Sequence, residues 1–115
     1  MALYLYRFGY TPEAWAALIE RPKDRRDMLA SQIFATFGGR LEGFWYCFGE
    51  QDGYALIDMP DAVSAAAASV AVTATGAFRL LETTVLISAD DMMAAVDRAG
   101  EFGYVKPGDE GSAIV

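Results

Sequence analysis

The side chains able to do chemistry in this sequence are carboxylates, guanidinium groups and phenols. Arg7, Glu42, Asp52, Asp58, Arg79 and Glu82 fall on or beside stretches of β pattern, with Tyr4, Tyr6 and Tyr46 close to them in that pattern. An isolated charge in a sheet core is costly, so such groups must pair or meet a ligand. An arginine beside a carboxylate against aromatic walls would hold a small polar-aromatic molecule, and the ligand-binding candidates are Arg7, Tyr46, Asp52, Arg79 and Glu82. In a reaction, Arg79 and Glu82 would orient the substrate and Asp52 or Glu82 would take a proton. The competing reading places most of these charges at strand ends or in ion pairs across a subunit contact. It leaves Asp52 as a turn residue bonded to its own backbone, and Asp58 exposed just before Met59 and Pro60.

Much other chemistry is excluded. The chain has no histidine, which removes Ser-His-Asp triads, Cys-His pairs, histidine-zinc sites and a proximal haem histidine. The glycines at 38–39 and 49–53 make neither GxGxxG nor a phosphate loop and read as turn residues. The single cysteine, Cys47, excludes an internal disulfide; inside an aromatic run it reads as a small buried hydrophobe in a reducing compartment. Met92 and Met93 read as gap-fillers in a core or interface rather than metal ligands, so no metal or cofactor is expected. The net charge of −7 repels a nucleic acid or an anionic bilayer. The one basic cluster, Arg21, Lys23, Arg25 and Arg26, is broken by Asp24 and Asp27 and reads as a solvated helix start. Residues 1–6 lack the features of a signal peptide, and the Ala-rich 62–78 stretch is too polar to span a membrane. A cytoplasmic protein is expected.

The elements that must position these groups follow from pattern. Residues 2–8 read as a strand with Leu3 and Leu5 on one face and Tyr4, Tyr6 and Phe8 on the other. Thr11 followed by Pro12 starts a helix with Trp15, Leu18 and Ile19 as its apolar stripe. After Pro22 a second helix, from about Lys23 to Phe37, carries Leu29, Ile33 and Phe37 at four-residue spacing and stops at Gly38-Gly39. Residues 40–48 form a strand whose alternation sets Leu41, Trp45 and Cys47 against Phe44, Tyr46 and Phe48. A tight connection over 49–53 leads to a third strand, 54–59, and Asp61 caps an uncharged helix expected to be contacted on more than one side. A fourth strand spans 78–87, and Ser88 caps a short helix ending near Gly100. Residues 1–100 form the domain and 101–115 a C-terminal tail, with Phe102 and Tyr104 pinning its first part.

Strand, helix, strand, strand, helix, strand is the split βαβ order of an α+β, ferredoxin-like fold: a four-stranded antiparallel sheet with both helices on one face. The free face of such a sheet should be polar, yet the first two strands are apolar on both sides. A second copy packed on that face accounts for this, giving a homodimer and leaving the Ala-rich helix for further stacking.

The run from Gly38-Gly39 through Phe44-Trp45-Tyr46, Gly49-Glu50-Gln51-Asp52, Asp58-Met59-Pro60-Asp61 and Gly76-Ala77-Phe78-Arg79 resembles the GYD-domain family over about residues 1–90. In the Gly-x-Tyr-Asp turn behind that label, Gly49 and Asp52 match and Gln51 stands at the tyrosine position. The resemblance implies a small dimeric α/β barrel and brings no assigned activity. Two functions stay open: a homo-oligomeric module that binds a small molecule or assembles with protein, or a cofactor-free enzyme. The enzyme would be a monooxygenase or isomerase of a small aromatic or lactone substrate with an Arg/carboxylate pocket, a reading that rests on fold analogy.

Overall fold

β1 (Ala2–Tyr10) alternates as its sequence dictates, with Tyr4, Tyr6, Phe8 and Tyr10 all buried against the helices. The computed structural model describes residues 2–110 and continues with α1 (Pro12–Glu20), α2 (Arg26–Phe37), β2 (Arg40–Tyr46), β3 (Gly53–Met59), α3 (Ala62–Thr73), β4 (Phe78–Val85) and α4 (Ala89–Ala99). The strands lie in the order β2-β3-β1-β4, every neighbouring pair antiparallel, which is the ferredoxin-like α+β arrangement. Ile33 of α2 and Ala65 of α3 join Tyr4, Tyr6, Ala55, Ile57 and Met59 in one buried cluster, so both helices cover the same face.

Local chemistry sets the helix ends. Thr11 Oγ1 accepts the Ala14 N–H at 3.3 Å, Asp61 Oδ1 accepts the Ser64 N–H at 2.7 Å, and Ser88 Oγ accepts the Asp91 N–H at 3.1 Å. Each cap satisfies one of the free donors of a first helical turn. α2 starts three residues later than its sequence pattern predicts, because Asp24 ties the Arg26 N–H and guanidinium into a local turn. It ends at Gly38, whose φ of 68° admits no side chain without strain and whose N–H reaches the Phe34 carbonyl at 2.9 Å.

Strict alternation fails once, in β2. The pairing with β3 shifts between Leu41 and Gly43, leaving Glu42 as an extra residue. Leu41 therefore faces the helices beside Ile57, with Phe44 and Tyr46, and not with Trp45 as the pattern predicts. The Trp45 ring lies over Gly43 on the opposite face.

The second half departs further from the reading of its pattern. α3 ends at Thr73, and within this chain only one side of it is covered: Val63 and Val70 stand 79% and 68% exposed. β4 ends two residues early, although the Leu86 N–H still reaches the Leu3 carbonyl at 2.9 Å. α4 extends from the body, every residue exposed, and draws the molecule out to 70 × 29 × 23 Å. Met92 and Met93 thus lie outside the core of this chain. Of the expected tail 101–115, residues 111–115 lie outside the described residues. Phe102 and Tyr104 stack on each other with centroids 6.1 Å apart and stay exposed, so they do not pin the tail to this chain's domain.

Candidate functional site

The helix layer does not close over the sheet. α2 packs on β2 while α3 packs on β3 and β4, and an open cleft of about 820 Å³ lies between them. Its floor is sheet, with Tyr6, Phe8, Phe44 and Phe78 among the side chains of that floor. One wall carries Leu18, Leu29 and Phe37; the other carries Ala68, Ala71 and Val72 of α3, whose short side chains leave the space open. The Tyr6 hydroxyl donates to the Ala65 carbonyl at 2.9 Å and so fixes α3 to the floor. Burial, and then Tyr4 nearby, push the Tyr6 phenol up to about 12, so it stays a neutral donor at any ordinary pH. Apart from the Tyr6 and Tyr10 hydroxyls, the polar side chains of the lining stand at the exposed mouth: Arg21, Lys23 and Arg25 with Gln32, Thr36 and Thr75.

An aromatic cluster continues the floor to one end of the sheet. Phe8 meets Tyr10, Phe44 and Phe78 at centroid distances of 5.3, 5.4 and 6.0 Å, and Tyr10 meets Trp15 edge-on at 5.1 Å. Tyr46 sits behind this cluster, 5.2 Å from Phe44 and 47% exposed. Burial raises the Tyr10 phenol well above its ordinary value, with Tyr46 beside it adding to the effect and the Arg25 charge opposing it.

The charged candidates form two pairs, and neither lines the cleft. Arg7 and Glu82 are direct partners across β1 and β4 and form an ion pair on the helix-free face, each side chain substantially exposed. Asp52 is a junction rather than a self-bonded turn residue. Its Oδ2 accepts the Tyr10 N–H at 2.9 Å and the Trp15 Nε1–H at 3.2 Å, while Oδ1 accepts from Arg79 Nη2 at 3.2 Å. The reason is local: the β1–β4 pairing shifts between Gly9 and Tyr10, and Asp52 satisfies the Tyr10 N–H there. Partial burial works against the Asp52 charge, but the Tyr10 and Trp15 donors and the Arg79 guanidinium outweigh it and hold the carboxyl below its ordinary range. Arg79 reaches Asp52 by crossing Gly9, where a Cβ would lie 2.7 Å from the guanidinium carbon, and its other nitrogen donates to the Glu50 carbonyl at 3.1 Å.

Asp58, expected to be exposed, is half-buried on the helix-free face. Its Oδ1 and the Arg7 Nε are out of water and have no hydrogen-bond partner within the described residues. Cys47 is half-buried, its thiol donating to the Gln51 carbonyl at 3.3 Å, and the Gln51 amide donates to the Tyr54 hydroxyl. Among the described residues, no three Cys, Asp or Glu side chains gather as a metal site, and no helix is long and apolar enough to cross a membrane.

Sequence reasoning missed the cleft and the three cations at its mouth. The one signal available was the run of small residues over 62–77, which leaves room wherever it faces a neighbour. No curated protein and no solved structure matches the chain. The model of the GYD domain matches residues 4–96, which takes in all four strands and the helices between them, and the chain belongs to the GYD-domain family.

Proposed function

We propose that the protein is a small-molecule binding module that works as a self-associated pair. The observation that carries the binding reading is the cleft itself: its volume and largely apolar lining fit the range of small-molecule sites, and no carboxylate lines it. The Arg/carboxylate pairs that an enzyme of this shape would use stand outside it. That arrangement favours holding an apolar ligand over turning one over.

Pairing through the helix-free face is supported by what that face leaves unfinished. Leu3, Leu5, Tyr54, Leu56 and Leu80 share it with Trp45, which is 52% exposed, and the unpartnered Arg7 Nε and Asp58 Oδ1 lie among them. A second sheet would bury these apolar side chains. α4 points the same way, because an isolated helix of 11 residues is marginal in water and this one is exposed along its whole length among the described residues.

Two measurements test the two halves. N-phenyl-1-naphthylamine, an uncharged apolar fluorophore, brightens on binding wild type, and Ala71→Trp, which fills the cleft from an exposed helical position, abolishes the signal. Sedimentation gives a pair for wild type and a single 12.5 kDa particle for Leu56→Glu. A wild type that sediments at 12.5 kDa throughout the micromolar range removes the pairing. An unchanged fluorescence titration in Ala71→Trp removes the cleft.

A further inference from the structure

The mouth of the cleft has a sign. Arg21, Lys23 and Arg25 line it and no aspartate or glutamate does. Asp24, between Lys23 and Arg25, is bound in a close pair with Arg26, which does not line the cleft, and none of the three cations has a carboxylate within 4.0 Å among the described residues. In a chain of net charge −7, three cations without an ion-pair partner lining one cleft, with no carboxylate among its lining, run against the sign of the protein as a whole. Arg25 acts inward as well, since its charge is felt at the Tyr10 phenol on the floor. Behind the mouth the lining is aromatic and aliphatic, with hydroxyls fixed by burial in their neutral form.

Resting on the reading of the cleft as a binding site, we infer that its ligand is an amphipathic monoanion, a carboxylate carried on a long alkyl chain, with the chain on the aromatic floor and the carboxylate between Arg21, Lys23 and Arg25. Apolar burial supplies the affinity, and each added methylene tightens binding about fourfold. The guanidinium and ammonium groups supply orientation, discrimination against uncharged analogues and a dependence on salt. A dicarboxylate would place its second charge on a floor that offers no cation, and is rejected.

The test is displacement of N-phenyl-1-naphthylamine by octanoate, decanoate and 1-decanol from wild type, Arg25→Glu and Ala71→Trp. Decanoate should displace about fifteenfold more tightly than octanoate, as two methylenes require, and more tightly than 1-decanol. Arg25→Glu should weaken decanoate about tenfold while leaving 1-decanol within about twofold, because the alcohol makes no charge contact. Decanoate and 1-decanol displacing equally, with Arg25→Glu without effect, would overturn the anion inference and leave the cleft as an uncharged apolar site. Failure of Ala71→Trp to alter any of the three titrations would overturn the cleft reading and this inference with it.

Discussion

Replacing Asp52 by alanine tests the claim that this residue joins the loop before β3 to the irregular end of β1. Two N–H groups and one guanidinium lose their acceptor. The Tyr10 N–H is the serious loss: Tyr10 is buried and its ladder is interrupted there, so an unmet donor costs about 2 kcal/mol. The half-buried Trp15 can turn its indole N–H to water, and the Arg79 side chain is 42% exposed, so each adds only about 0.5 kcal/mol. The whole is about 3 kcal/mol, which at a urea slope of about 1.5 kcal/mol/M moves the midpoint down by about 2 M. Asp52→Asn keeps an oxygen for Tyr10 and Trp15 and turns its amide toward Arg79, so it loses about 1 kcal/mol. Urea unfolding followed by tryptophan fluorescence, at one fixed protein concentration, measures all three proteins. Acid gives an independent check. The folded carboxyl lies below the unfolded value of about 3.9, so its stabilisation is complete above that value and is lost as pH falls through the folded one. The gap between wild type and Asp52→Asn therefore closes on acidification. A midpoint for Asp52→Ala within 0.3 M of wild type, about 0.5 kcal/mol on the same slope, would refute the account of the junction.

Two further outcomes follow from geometry. Tyr6→Phe removes the hydroxyl that holds α3 and lowers stability by about 1 kcal/mol. Because the folded phenol titrates near 12 against 10.0 when unexposed to the core, wild-type stability is full below 10, falls as pH rises toward 12, and falls less steeply in Tyr6→Phe by equilibrium unfolding. Gly9→Ala displaces the Arg79 guanidinium and lowers stability by about 1 kcal/mol, yet costs almost nothing in an Arg79→Ala background; a double-mutant cycle with additive losses would show that Gly9 serves some other contact.

What the sequence made legible was whatever depends on near neighbours. Thr11, Asp61 and Ser88 cap their helices because a short oxygen-bearing side chain three residues before a free N–H needs no tertiary information. The two faces of β1 follow from period two, and the order of elements leaves few topologies. Simple alternation misplaces Leu41 because a bulge belongs to the pairing of two strands, and the alternation of one strand carries no trace of it. Asp52 was legible as a charged turn residue, but its partners at Tyr10, Trp15 and Arg79 are 42, 37 and 27 positions away. The cleft was hidden for a related reason. It is a gap between helices separated by a hairpin, and gaps are set by how far apart two layers settle. The basic cluster has the pattern of a solvated helix start, which describes Asp24 and Arg26 well and carries no sign of the cleft their neighbours line.

The extra residue in β2 has a bearing on how the molecule behaves in a crowded cell. β2 is an outermost strand, and an outermost strand with regular spacing is a template on which further chains can add without limit. Glu42 breaks that spacing and, with Arg40 paired to it at 2.6 Å, leaves a kinked and charged rim where a straight greasy one would stand. Removing this one glutamate would straighten the rim while leaving Leu41 opposite Ile57, and a protein with this much exposed apolar surface would then be expected to form fibrils through the same backbone bonds that build its sheet.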